Sequence, residues 1–207
     1  MPGKIEVVHH SVVDWDFERG ANARSLDATR FISAPTSLHF TTDPVMGSNA
    51  ILSRLPSTQC LPQGEVRTWI WRTGTLSGPC TFRNQAALGS AGVGNCYRVA
   101  LWGRKAYFHR YINHSSILIG TWPFIFVYNA WHHIRVFWYN GETPGGTPAL
   151  CVDLYREVAG EWIKVEPTFY DTANWWKDSA INRCGPFSHV QPNYYTWFDD
   201  TEIWGPV

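Results

Sequence analysis

Arginine, tryptophan, tyrosine and histidine alternate with aliphatic residues in several short stretches of this 207-residue chain. Successive side chains of a β-strand point to opposite faces, so each stretch divides into two sets. Val66 and Ile70 oppose Arg67, Trp69 and Trp71, and Val99 and Leu101 oppose Arg98 and Trp102. Ile134 and Val136 oppose Arg135 and Phe137, and Val152 and Leu154 oppose Asp153 and Tyr155. If these strands are neighbours, the polar and aromatic set forms one sheet surface, joined by Tyr107 and His109 from the next strand. Flat rings that cover the C–H face of a pyranose, beside planar groups that bond its hydroxyls, are the chemistry of carbohydrate recognition. Trp122, Trp175 and Trp176 are further stacking candidates, expected on loops. The competing reading is a covered face on which every arginine meets an acid or an indole.

Other chemistries lack their residue patterns. A retaining glycoside hydrolase needs two carboxylates about 5 Å apart on one face, whereas Asp153 and Glu157 lie four positions apart and Glu157, Glu161 and Glu166 surround a turn. His132-His133 and His9-His10 are adjacent pairs whose members face opposite ways on a strand, so neither pair makes a two-histidine metal site. No Gly-x-Ser-x-Gly elbow and no glycine-rich phosphate loop before a helix occurs. Seventeen basic and seventeen acidic residues cancel, which removes the positive field that nucleic-acid binding requires. No stretch of about 18 apolar residues is present, so no helix inserts into a membrane. The N-terminus has no apolar signal region, and an extracellular or particle-surface location would follow removal of a leader. Cys60, Cys80, Cys96, Cys151 and Cys184 have irregular spacing. They read as buried thiols, with one bridge such as Cys60 to Cys80 as the alternative.

The elements that position these groups are all strands. Short β-branched and aromatic runs bounded by Gly, Pro, Asn and Ser recur from end to end, with no sustained helical period. Strands are predicted at Ile5–Val8, Trp15–Glu18, Ser37–Thr41, Ala50–Arg54, Glu65–Arg72, Cys96–Trp102, Ala106–Ile112, Trp131–Tyr139, Ala149–Glu157, Glu161–Val165 and Thr196–Trp204. Val158-Ala159-Gly160 reads as a hairpin tip, Asn140-Gly141 with Thr143-Pro144-Gly145-Gly146 as a longer turn, and Phe169–Asn193 as a long excursion. The expectation is an all-β, two-sheet antiparallel sandwich or jelly roll, with residues 1–207 forming a single domain. Charged residues make up 16% of the chain and there are twelve tryptophans, against roughly 25% charged residues in an ordinary soluble domain. Such a surface suits sugars or another protein.

Trp15-Asp16-Phe17-Glu18-Arg19-Gly20, Ser37-Leu38-His39-Phe40, Glu65 to Trp71, Trp131-His132-His133-Ile134-Arg135-Val136 and the closing Trp197-Phe198-Asp199-Asp200-Thr201-Glu202-Ile203-Trp204 together span most of the chain. In this order they resemble the concanavalin A-like lectin/glucanase superfamily, particularly its laminin G-like domains. The resemblance implies a curved jelly roll whose termini pair side by side. It implies no single activity, since the fold hosts lectins, adhesion modules, hydrolases and lyases. It also implies a structural calcium ion near the termini, for which Asp16, Glu18, Asp43 and Asp199 are the oxygen donors, although no Asp-x-Asp-x-Asp-Gly loop is present. For each acid, a turn cap or an arginine partner is the other reading.

Three functions follow as expectations. The first is a non-catalytic, lectin-like carbohydrate-binding or adhesion module. The second is a structural assembly protein, such as a virion decoration or surface subunit, in which the same face meets protein, as a homo-oligomer or within a larger particle. The third is a polysaccharide lyase, for which Arg67, Tyr107, His109 and Arg135 are the right residue types.

Overall fold

Among the described residues, fifteen strands form in the computed structural model: β1 (Gly3–Val8), β2 (Phe17–Arg19), β3 (Arg24–Asp27), β4 (Ser37–Phe40), β5 (Asn49–Ser53), β6 (Gly64–Arg72), β7 (Leu76–Asn84), β8 (Cys96–Trp102), β9 (Lys105–Ile112), β10 (Ser115–Trp122), β11 (His132–Glu142), β12 (Pro148–Val158), β13 (Glu161–Asp171), β14 (Arg183–His189) and β15 (Thr196–Gly205). The structure describes residues 3–8, 17–19, 24–33, 35–41, 49–53, 63–74, 76–85, 95–113, 115–123, 126–175, 183–189 and 194–205. No described residue belongs to a helix, and none therefore to a helix able to cross a membrane.

The strands build two antiparallel sheets. The first has the order β13-β12-β11-β6-β15-β4-β3, with β1 also paired to β15, so that the two ends of the chain lie side by side. The second has the order β10-β9-β8-β7-β14-β5-β2. The aliphatic sets expected from alternation meet between them: Val66, Ile70, Ile134, Val136, Val152 and Leu154 from the first sheet pack with Val99, Leu101 and Phe108 from the second. Burial of such side chains contributes roughly 1.5–3 kcal/mol each, and it fixes which face of every strand is left outside.

Each strand expected from sequence overlaps an observed strand, although Trp15 and Asp16 lie outside the described residues. Four strands escaped the pattern: β3, β7, β10 and β14. The supposed excursion from Phe169 to Asn193 contains the end of β13 and all of β14. Gly78-Pro79 and Gly185-Pro186 look like strand breakers, yet both pairs sit inside strands at irregularities of register, where proline is tolerated. Asn140 and Gly141 are likewise strand residues. The turn itself spans Thr143 to Thr147, closed by the Thr143 amide on the Thr147 carbonyl at 2.8 Å. Ala159 and Gly160 make the two-residue tip between β12 and β13, with φ of 52° and 87°.

Candidate functional site

The residues expected on one surface lie on two. Arg67, Trp69 and Trp71 on β6, Arg135 on β11, and Asp153 and Tyr155 on β12 occupy the outer face of the first sheet. Arg98 and Trp102 on β8 and Tyr107 and His109 on β9 occupy the outer face of the second. The core separates the two sets. Alternation assigned each residue to the correct side of its own strand, but β8 and β9 are not neighbours of β6.

On the first sheet the polar groups are occupied with one another. The fully buried Glu65 carboxylate pairs with Arg67 Nε and, at 2.6 Å, with Arg135 Nη2. Arg67 also reaches Glu202 at 3.8 Å. Lys164 Nζ lies 3.0 Å from Asp153 Oδ1 and donates to Thr168 Oγ1 at 2.6 Å, and the Thr168 hydroxyl donates to Asp153 Oδ1, also at 2.6 Å. His133 bonds Glu157 through Nδ1 and stacks on Trp69 with centroids 4.5 Å apart, and Trp162 packs on its other side. Desolvation holds the His133 imidazole below its ordinary range despite Glu157. At the far end of the face, the Arg30 guanidinium lies over Trp71 and Trp197. Arg67, Arg135 and Lys164 are each matched by a carboxylate, whereas Arg30 is covered by indole rings.

The second sheet differs. Its outer face carries a ladder of rings, Trp102, Tyr107, His109 and Tyr111, with successive centroids 6.1, 6.1 and 5.9 Å apart. Trp102 is 64% exposed, and Leu118 of the edge strand β10 is 54% exposed opposite His109. Arg98 lies beside the ladder as the direct cross-strand partner of His109. It is only 7% exposed, and among the described residues no carboxylate pairs with it. Its guanidinium lies 4.3 Å from the Tyr111 ring centroid and 4.1 Å from that of Phe187. Among the described residues, Arg98 Nε and His109 Nδ1 are buried without a hydrogen-bond partner. Burial lowers the His109 pKa from its ordinary value and the neighbouring Arg98 charge lowers it further, so the imidazole is neutral at pH 7. A buried, unpaired cation is costly, and a neutral base beside it is chemically usable. Arg98, Trp102, Tyr107, His109 and Tyr111 form the candidate site.

The remaining expectations resolve individually. Trp122 is no loop residue: it ends β10, is fully buried, and donates its indole N–H to the Pro167 carbonyl at 2.8 Å. Trp175 is partly exposed and its backbone is anchored by Tyr97 Oη and Arg83, whereas Trp176 lies outside the described residues. Of the calcium donors, Asp16 and Asp43 lie outside the described residues, and so does the side chain of Glu18. Asp199 is buried, and its carboxylate accepts the amides of Ile32, Ser33 and Asp200 in the manner of a turn cap. No group of three metal-ligating side chains occurs among the described residues. Cys80, Cys96, Cys151 and Cys184 are buried free thiols, and Cys60 lies outside the described residues.

Sequence reasoning missed Glu65, His133, Trp162 and Lys164 on the first face and Tyr111 and Phe187 on the second. Tyr111 was legible, because it continues the Tyr107, His109 alternation. Phe187 was hidden by the Gly-Pro pair before it.

No known family profile matches the sequence, and no curated protein matches it. Solved structures do match in shape. An alginate lyase from Aplysia kurodai superposes with a TM-score of 0.61 at 13% identity, over 99% of this chain and 100% of that one. Alginate lyase vAL-1 from Chlorella virus gives 0.57 at 12% identity, over 98% and 100%. An alginate lyase variant in complex with alginate trisaccharide gives 0.52 at 10% identity, over 100% and 98%. The fold is a concanavalin A-like jelly roll. At such identities the likeness carries the architecture alone, and the activity of a jelly roll is decided by its site.

Proposed function

We propose that the protein binds an acidic polysaccharide of the uronate class on the outer face of the second sheet. Arg98 holds a sugar carboxylate, while Trp102, Tyr107 and His109 lie against the sugar rings. The observation that carries this reading is Arg98, a buried guanidinium for which the described residues supply neither a partner for Nε nor a carboxylate. An incoming carboxylate would supply the missing charge through short, charge-assisted hydrogen bonds. Alginate is the uronate polymer chosen for the test because solved structures that share this architecture include alginate lyases. Calorimetric titration with alginate oligosaccharides and with neutral mannan oligosaccharides tests it. The wild-type protein binds the acidic series, and Arg98→Ala weakens that binding tenfold or more. Equal affinity for the neutral series, or an unchanged Arg98→Ala variant, would overturn the proposal.

A second reading on the same face is β-elimination, favoured by the neutral His109 directly across from Arg98. With the carboxylate neutralised by Arg98, His109 takes the C5 proton, the C4–O bond breaks as the C4=C5 bond forms, and the Tyr107 hydroxyl protonates the departing oxygen. Proton return from His109 to the Tyr107 phenolate restores the site. Ultraviolet absorbance of the unsaturated end, present in the wild type and lost in His109→Ala with binding retained, is the result that supports it; binding without any absorbance change leaves a pure receptor.

A further inference from the structure

Phe187 and Gly78 are cross-strand partners on β14 and β7, and the register irregularity that follows Gly185 brings them opposite. A Cβ on Gly78 would lie 2.2 Å from Phe187 Cε1 and 2.2 Å from the Val99 carbonyl oxygen. Glycine is therefore needed here for space: the fully buried Phe187 ring occupies the volume that any side chain at position 78 would fill. One strand further, the Arg98 guanidinium lies between that ring and Tyr111, at 4.1 and 4.3 Å from the two centroids. A guanidinium with an aromatic ring on either side can offer hydrogen bonds only along its edge. Among the described residues the Nε on that edge has no partner.

We infer that Phe187, seated on Gly78, is a positioning residue that fixes the plane of the Arg98 guanidinium and so presents its edge to a ligand carboxylate in one orientation. This inference rests on the acidic-glycan reading above and deepens it. Bidentate guanidinium–carboxylate bonding requires the two planar groups to be coplanar. An arginine already held by two rings loses its rotamer freedom on folding, and little is left to lose on binding. On the first sheet Arg67 and Arg135 also lie near aromatic rings, but a shared carboxylate ties their guanidinium groups, which no described carboxylate does for Arg98.

The test uses the full-length protein carrying Phe187→Leu, Phe187→Tyr or Tyr111→Leu, with alginate trisaccharide as the probe. Three readouts are taken: affinity, thermal unfolding, and the Arg98 Nε–H resonance, which two flanking rings displace by their ring currents. Phe187→Leu is expected to move that resonance toward an ordinary arginine position and to weaken binding about tenfold, while Phe187→Tyr restores both. Should Phe187→Leu fail to fold, Tyr111→Leu removes the other, more accessible ring and is expected to act in the same direction. A folded Phe187→Leu or Tyr111→Leu protein that binds like wild type, while Arg98→Ala does not bind, overturns the positioning role and leaves the site intact. Wild-type binding by Arg98→Ala would remove the site itself.

Discussion

Arg67 and Arg135 are direct cross-strand partners on β6 and β11, like charge opposite like charge, and the buried carboxylate of Glu65 satisfies both. Like charges directly opposed destabilise a sheet, so the arrangement holds only because one acid is shared. Removing one member of a buried pair costs about 3–5 kcal/mol because the charge left behind has no partner. Glu65→Gln is therefore expected to cost about 3 kcal/mol, the lower end because both arginines are partly exposed. Glu202→Gln, which loses a partly exposed 3.8 Å approach to Arg67 and keeps an oxygen to accept the Trp204 indole N–H, should cost less than about 1 kcal/mol. Urea unfolding of the two variants compares them, and similar losses would show that Glu65 is not the centre of the network.

Trp102 and Trp122 separate surface from core. Trp122→Ala removes a fully buried ring and its bond to Pro167, and is expected to destabilise the protein by about 3–5 kcal/mol. Trp102→Ala should leave stability within about 0.5 kcal/mol and reduce affinity for an acidic oligosaccharide. Denaturant unfolding and calorimetry on both variants check the pair. A Trp102→Ala protein with full affinity would remove that ring from the binding track.

His109 makes the site sensitive to pH with a definite sign. Its folded-state pKa lies below 6.5, from burial first and Arg98 second, so as pH falls through 6.5 the unfolded chain takes up the proton first and His109 contributes against folding. A bound carboxylate favours the imidazolium and raises the pKa, so binding takes up protons. Affinity for alginate oligosaccharides should accordingly rise as pH falls below 6.5, and His109→Gln should flatten the profile. Titrations in buffers of different ionisation enthalpy measure the uptake; none in the wild type would place His109 away from the ligand charge.

The β12–β13 hairpin carries a local strain that sequence can relieve. Ala159 has a φ of 52°, a conformation that costs a residue with a Cβ roughly 1–2 kcal/mol, while asparagine tolerates it before glycine in a two-residue turn. Ala159→Asn should stabilise the protein by about 0.5–1 kcal/mol, read as a higher urea midpoint with an unchanged slope. A lower midpoint would mean that the turn is held by contacts an asparagine disturbs.

Much of the fold was legible because its signals are local. The alternation of Val66, Thr68 and Ile70 against Arg67, Trp69 and Trp71 predicts an inside and an outside, and both are observed. The tip at Ala159-Gly160 needs only two adjacent residues. Strands β7 and β14 were hidden because Gly78-Pro79 and Gly185-Pro186 break the local pattern, and they survive as strands only because each lies beside the other with a matching irregularity of register. Trp122 reads as a loop residue from sequence yet ends β10, a strand in which Gly120 makes room for the Phe169 ring.

The sequence by itself determined that the chain is all β, which side of most strands is aliphatic, and that arginine and aromatic residues fill the other side. Only the tertiary structure decided that these residues belong to two faces, one on which carboxylates hold Arg67, Arg135 and Lys164 and one holding Arg98, which no described carboxylate pairs. The reason is physical: a period of two is written between neighbours along the chain, whereas the partner of a strand is chosen among segments far apart in sequence by the burial of a shared core.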